Sequence, residues 1–279
     1  MANSISIVVV GAGPAGFYAA DALIKKKIAC KIDLVDELPT PYGLIRSGVA
    51  PDHQTTKKII KAFEKIALNP ICRFFGNVNI GNDVSIEELK NIYDVIIISN
   101  GANSDKKLGI PGEDLEGVIG SASFVGWYNA HPKFVNINPD LSCKNVVVVG
   151  NGNVAIDIAR VLVKNRDEMA SSDIPEYALK AIENSMISDV HILGRRGPHE
   201  AKFTNVELRE MGELQDAVSL VDPNQIPKDV GCLEDSREKR LKEKNHKTFL
   251  EFSKNKYQDA DKRVNFQFWA KPVKIIGTK

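Results

Sequence analysis

Cysteine is scarce: Cys30, Cys72, Cys143 and Cys232 are the four in 279 residues, and no two stand at CxxC spacing. That excludes a disulfide framework and a thioredoxin-reductase-like dithiol, and it implies a reducing compartment. Histidine is nearly as sparse, and His53, His131, His191, His199 and His246 do not cluster with the cysteines. No zinc or iron–sulfur ligand set is visible, so any metal centre in the chemistry is expected to belong to a partner. Charge of one sign is also missing. The 37 Lys+Arg against 36 Asp+Glu leave a net charge of +1, which argues against a broadly basic nucleic-acid binder. Long hydrophobic runs are absent as well. Residues 5–24 come nearest, but three glycines and Pro14 interrupt them and no basic stretch precedes them. No membrane span and no cleavable presequence are expected, which places the chain in the cytoplasm, or in the mitochondrial matrix if a presequence has been removed.

What is present is ordinary globular composition, 43% hydrophobic and 26% charged, at a length for two domains or one large one. Residues 5–10 read as a β-branched strand ending at Gly11, and residues 14–24 as a helix with small residues on its inner face. A second strand, 29–35, ends at Asp36. After a Pro/Gly-rich stretch, residues 55–68 predict an amphipathic helix with Ile59, Ile60, Phe63 and Ile66 on one face and its lysines in water. Strands follow at 74–80 and 95–99, with a short helix at 86–89 between them. Gly101, Gly109, Pro111 and Gly112 then mark a domain boundary near residue 105. Past a loop-rich stretch around Trp127, the opening unit repeats: strand 146–149, turn 150–152, helix 154–163. Further helices are expected at 175–184, 205–214 and 233–254, with strands at 190–193 and 263–276. The alternation predicts an α/β fold of two Rossmann-like, doubly wound, mainly parallel sheets.

Gly11-Ala12-Gly13-Pro14-Ala15-Gly16 fits GxGxxG between a strand and a helix. The first glycine permits the turn, the second lets backbone approach a pyrophosphate, and the third lets helix and strand pack. The phosphates meet free N–H groups at the positive helix end. Asp36 lies 20 residues beyond Gly16, where a carboxylate accepts from ribose hydroxyls. The bland alternative is a phosphate-free turn. Gly150-Asn151-Gly152-Asn153-Val154-Ala155 is the GxGxxA variant, so two dinucleotides are implied. Arg195 and Arg196 follow the next strand, where guanidinium groups could clamp a 2′-phosphate and select NADPH. Arg195 comes 43 residues after Gly152, about twice the usual interval, so residues 164–186 read as an insertion. On spacing alone, a clamp and two solvated arginines both remain open.

GAGPAGFYAA (11–20), PYGLIRSGVAPDH (41–53), FVGWYN (124–129), GNGNVAIDIAR (150–160) and GRRGPHEAKFTNVELREM (194–211) resemble, in order along nearly the whole chain, the adrenodoxin reductase family of ferredoxin-NADP reductases. The resemblance implies FAD at the first turn, NADP(H) at the second, and a small acidic iron–sulfur protein of ferredoxin or adrenodoxin type as electron acceptor. It makes residues 1–105 the FAD-binding and 106–279 the NADP-binding domain. Ala15, Asp36 and Leu44 would touch FAD, with Ile80 in a strand on its adenine half; the family has Glu at Asp36, so Asp36 or Glu37 could serve. Gly150, Asn151, Gly152, Asn153 and Val154 would hold the second pyrophosphate and Arg195 and Arg196 the 2′-phosphate, with Glu207 close by. The family also returns to its flavin through a Trp-containing glycine-rich segment, which is not found before Lys279. A shortened form is therefore expected, and its flavin retention is open.

No side-chain nucleophile is needed, because a flavin accepts the hydride. By the resemblance, His53, Asp157 and Glu210 order the nicotinamide and relay protons. Read without it, His53 is a loop histidine, Asp157 a helix-start carboxylate and Glu210 solvated. Arg237, Arg240, Lys242 and Lys244 resemble the family's docking arginines, yet Glu238 and Glu243 alternate with them as on a solvated face. Trp127 reads as packing. Two rivals remain: the NADPH-oxidising unit of a larger complex such as glutamate synthase, whose cysteine-rich region is absent, and a noncatalytic dinucleotide-binding module.

Overall fold

The computed structural model describes residues 4–102, 104–230 and 237–277. Cys232, the start of the charged stretch at Leu233, and Lys279 lie outside them. The chain divides into two units, Met1–Ser104 and Asp105–Lys279.

In the first unit, β1 (Ile5–Val10) leads into α1 (Pro14–Lys25), β2 (Cys30–Val35), α2 (Leu44–Ser47), α3 (Gln54–Lys57), α4 (Ile60–Ala67), β3 (Cys72–Phe75), α5 (Ile86–Ile92) and β4 (Val95–Ile98). The strands form a wholly parallel sheet in the order β3-β2-β1-β4, with Val8 opposite Asp33 and Ile96. Val8 and Val9 are fully buried, which suits the β-branched run over residues 7–10 that makes up most of β1. On one face α1 buries Gly16, Phe17 and Ala20. Phe17 stacks on Phe63 of α4 with ring centroids 4.9 Å apart, and Tyr42 joins them at 5.3 Å. Each such ring is worth about 1.5–3 kcal/mol of burial. Leu89 of α5 fills the opposite face against Val8, Val10 and Val35. Ser85 caps α5 through a reciprocal box with Glu88.

Two expectations for this unit are corrected. The helix predicted over 55–68 is two helices, α3 and α4, joined by i→i+3 bonds at Lys58 and Ile59. Thr55, Thr56, Ile59 and Ile60 are β-branched, and that crowding weakens a regular helix there. Lys57 is buried rather than in water. The strand predicted over 74–80 is β3, ending at Phe75, because the chain turns at Gly76 and Asn77, the latter with φ +59°. Ile80 therefore lies in no strand; it forms an isolated bridge with Val84 and packs beside Leu89.

In the second unit, α6 (Ser121–Tyr128), β5 (Asn145–Val149), α7 (Asn153–Val163), α8 (Glu176–Glu183), β6 (Asp189–Leu193), α9 (Asn205–Glu210), β7 (Ala217–Val221), α10 (Arg237–Phe252) and β8 (Lys262–Gln267) follow in order. The sheet is again parallel, in the order β5-β6-β8-β7. Residues 164–186 contain α8, which Arg166 ties down through Glu183 at 2.8 Å and Glu176 at 3.3 Å. Trp127 sits in a helix rather than a loop, buried against Phe124 and Tyr177. β7 has no counterpart in the sequence reading, and β8 stops at Gln267 instead of running to Ile276. Under α10 lies an aromatic core, with Phe249 in edge contact with Phe203, Phe266 and Phe268. β4 and β5 each end a sheet, and Val95, Ile98, Val147 and Val149 on them are exposed.

Beneath this sheet Arg263 of β8 makes a bidentate pair with Asp189 of β6, at 2.9 and 2.8 Å, and stacks on Tyr257. The guanidinium holds the Asp189 carboxyl down at about 2, against an ordinary 3.8. A pKa depressed by folding gives stability present above about pH 4 and lost as pH falls through about 2. The contribution is about 2 kcal/mol. In denaturant titrations from pH 5 to 2, wild type should lose that much more than Asp189→Asn; parallel pH profiles for the two proteins would remove the assignment.

Candidate functional site

The first turn is built where β1 and β4 converge. Gly11 takes φ +102°, and a Cβ there would stand 2.4 Å from the Ser99 carbonyl oxygen, so only glycine fits. A Cβ on Gly16 would meet the Gly11 oxygen at 2.1 Å, which is how α1 comes close to the turn. Gly13 caps α1 without a side-chain bond, Pro14 opens the helix, and no acidic residue stands in its first turn. Facing it is Gly43 at φ +48°, whose Cβ would fall 2.9 Å from the Gly13 Cα. Bare backbone thus faces bare backbone at a positive helix end, a cradle shaped for phosphate. Asp36 braces it, accepting from the Ala12 N–H at 2.7 Å and the Leu38 N–H at 2.9 Å. Glu37 is exposed and accepts from Asn79 at 3.2 Å. Ala15 is exposed on the first turn of α1, and Leu44, which opens α2 beside Gly43, is 66% exposed. Ile80 packs against the cluster of Val8, Val10, Val35 and Leu89, at the ends of β1 and β2 that lead into Gly11 and Asp36. His53 is the N-cap residue of α3, half-buried.

The second turn shares the positive-φ glycine and the uncapped helix but is more open. Gly150 takes φ +141°, and Cβ atoms on Gly150 or Gly152 would meet nothing within 4 Å. Gly152 caps α7 with no side-chain bond and no acidic residue in the first turn, and Val154 beyond Asn153 is exposed. Ser85 caps α5 and Thr204 caps α9 with side chains, while α2, α3, α4, α6 and α8 also lack side-chain caps, so what sets α1 and α7 apart is the strand-to-helix turn with a positive-φ glycine ahead of each. Two helices left bare behind glycine turns suit an external anion. Both carboxamide atoms of Asn151 are buried without a hydrogen-bond partner. Such atoms are costly unless a ligand satisfies them.

Around this turn the structure gathers most of the residues singled out in the second unit. The Lys202 N–H donates to the Asn151 carbonyl at 2.8 Å, and the Thr204 N–H to Asn153 Oδ1 at 2.9 Å. That places Glu207 nearby, its carboxylate accepting from the Thr204 hydroxyl at 2.9 Å. Gly194 lies so close to Asn151 that a Cβ would meet its Nδ2 at 1.8 Å. Arg195 and Arg196 therefore leave β6 beside the turn, both exposed. Asp157 is buried on α7 and accepts from Arg160 Nη2 at 2.8 Å, and Glu210 of α9 lies 3.7 Å from Arg160 Nη1.

Arg160, fully buried, was not singled out from the sequence, although its i,i+3 spacing from Asp157 was visible. Trp269 was also missed. On α10, Arg237, Arg240 and Lys244 are exposed, while Lys242 pairs with Glu238 at 2.7 Å. No helix among the described residues is long and apolar enough to cross a membrane.

Comparison with known proteins places this geometry. Residues 5–200 match the family model for pyridine nucleotide-disulphide oxidoreductases. The chain is 43% identical over 280 residues to NADPH-ferredoxin reductase FprA of Mycobacterium tuberculosis, covering 98% of this chain and 61% of that one. It is 42% identical over 278 residues to a mitochondrial NADPH:adrenodoxin oxidoreductase of Arabidopsis thaliana, covering 98% and 57%. A solved structure of M. tuberculosis FprA in complex with NADPH superimposes with a TM-score of 0.93 at 42% identity, covering 99% of this chain and 62% of that chain. The chain thus spans about three fifths of the length of these relatives.

Proposed function

The chain belongs to the pyridine nucleotide-disulphide oxidoreductase family, and from that premise we propose that it passes electrons from NADPH through FAD to a small iron–sulfur protein of ferredoxin or adrenodoxin type. The observation that carries the reading is the twice-built turn: two positive-φ glycines, at Gly11 and Gly150, each followed by a helix left uncapped by side chains. The first unit holds FAD, with Gly11, Gly13, Ala15 and Gly16 against its pyrophosphate, Asp36 or Glu37 toward its ribose and Leu44 against its ring system. The second holds NADPH, with Gly150, Gly152, Asn153 and Val154 at the pyrophosphate and the Asn151 amide turned to the nucleotide. Arg195 and Arg196 take the 2′-phosphate and Glu207 closes that side.

FAD, when bound, supplies the conversion of a hydride into single electrons. One NADPH then yields NADP+, a proton and two electrons, one for each of two acceptor molecules. The residues of this chain supply position. Buried Arg160 holds the Asp157 and Glu210 carboxylates in place, and these are assigned to ordering the nicotinamide. In the first unit the His53 imidazole is assigned to proton relay. We place the reaction in a reducing compartment, cytoplasm or mitochondrial matrix, where the free thiols of Cys30, Cys72 and Cys143 persist.

The exposed Arg237, Arg240 and Lys244 of α10 offer an acidic acceptor a docking face. Arg240→Glu should slow acceptor reduction several-fold at low ionic strength and flatten its salt dependence. An unchanged rate and salt slope would discard that face. The central test is the visible spectrum of the purified chain mixed with FAD, desalted, then given anaerobic NADPH. A retained flavin band that bleaches is the expected result; a chain that emerges colourless refutes the reading for these residues.

A further inference from the structure

Gly194 ends at the centre of a small arrangement that the dinucleotide turn alone does not explain. On one side stands Asn151 of the glycine turn, in contact with Gly194. On the other, the chain leaving β8 doubles along the same loop: the Ala270 N–H donates to the Gly194 carbonyl at 2.9 Å and the Trp269 N–H to the Arg196 carbonyl at 3.2 Å. Trp269 is one of two tryptophans in the chain and, unlike buried Trp127, is 56% exposed. Its backbone adopts φ +53°, a left-handed conformation uncommon for a bulky residue and one that is held only where the surroundings dictate it. The edge of its indole lies over Gly197, where a Cβ would meet Cζ2 at 2.8 Å and Cε2 at 3.1 Å. Gly197 leaves room for the ring, and the two main-chain bonds fix its position.

Read across the carboxyl ends of β5, β6 and β8, the groups stand in a definite order: bare glycine backbone, two guanidinium groups, one exposed indole. The adenylate half of NADP(H) carries the matching groups in the same covalent order, pyrophosphate, 2′-phosphorylated ribose, adenine. We propose that Trp269 is the platform on which the adenine base stacks, so that it recognises the base while Arg195 and Arg196 recognise the 2′-phosphate. The inference rests on the nucleotide reading of the second turn. Indole is a broad, flat, apolar surface, and base stacking on it is tolerant of the rest of the nucleotide. Its removal therefore weakens NADPH and NADH by the same factor, which loss of a phosphate contact does not.

The test uses adenosine 2′,5′-bisphosphate on the chain as it stands, read by calorimetry and by tryptophan emission. Wild type should bind it with quenching of the exposed tryptophan, and the Trp127→Phe variant, which leaves Trp269 as the sole tryptophan, should show the same quench on excitation at the red edge, where tyrosine does not absorb. Nicotinamide mononucleotide, which has no adenine, should not quench. Trp269→Ala should weaken the bisphosphate, NADPH and NADH alike, each about tenfold, and Trp269→Phe should restore most of that. If wild type binds the bisphosphate with unchanged emission, and Trp269→Ala binds it equally well, the platform is wrong while the nucleotide site stands. If wild type does not bind it at all, both readings fall.

Discussion

Replacing Arg160 by methionine lowers the stability of the second unit by about 3–5 kcal/mol. The side chain is fully buried, with Asp157 at 2.8 Å and Glu210 at 3.7 Å. Methionine fills similar volume without charge, so the loss is electrostatic rather than a cavity. The buried Asp157 carboxylate loses its guanidinium and must be desolvated without it or take up a proton. Adding Asp157→Asn should recover much of the loss, because replacing both ends of a buried pair costs less than breaking it. Equilibrium denaturation of wild type and the two variants decides the matter; a loss below about 1 kcal/mol for Arg160→Met would mean the pair is worth no more than a surface one.

Arg195→Ala with Arg196→Ala removes the preference for NADPH over NADH. Charge-assisted hydrogen bonds to phosphate are worth about 1.5 kcal/mol each at exposed positions. Two of them amount to about a hundredfold in affinity. Binding of NADPH should weaken by about that factor while NADH changes less than about twofold. Both arginines are exposed at the end of β6, so the double variant should retain its fold, and its thermal midpoint should stay near that of wild type. An unaltered NADPH to NADH ratio would show that the 2′-phosphate is held elsewhere.

The two glycine turns were legible because each expresses a local backbone demand, close packing at the first and the positive φ of Gly150 at the second. Gly11 sits where a Cβ would strike the Ser99 backbone, and such a demand leaves a local mark on the sequence. β7 left none. Along it Ser219 is buried, its hydroxyl donating to the Met211 carbonyl at 2.8 Å, while Leu220 is half-exposed, so the apolar alternation that marks a strand runs against its true faces. The end of β8 misled for another reason. The residues after Gln267 remain rich in apolar and β-branched types, but the Phe268 N–H is taken by the Gln225 side chain at 2.9 Å and Trp269 turns left-handed. Neither event is local in sequence. The same holds for the candidate site: the spacing of Asp157 and Arg160 is local, whereas the approach of Glu210 to Arg160 depends on α7 and α9 packing together.

The outermost strands carry a practical consequence. β4 and β5 present unpaired ladder groups among the described residues and apolar side chains such as Ile98 and Val147 to the outside. A strand with those properties is a template for another strand, from the same chain or a neighbour, and nothing on its rim is charged enough to turn one away. Edge-to-edge pairing of copies is the expected consequence, to be read as light scattering that rises with protein concentration. Val147→Lys puts a charge on an exposed position of edge strand β5 and should lower the scattering; an unchanged signal would mean the edge does not pair.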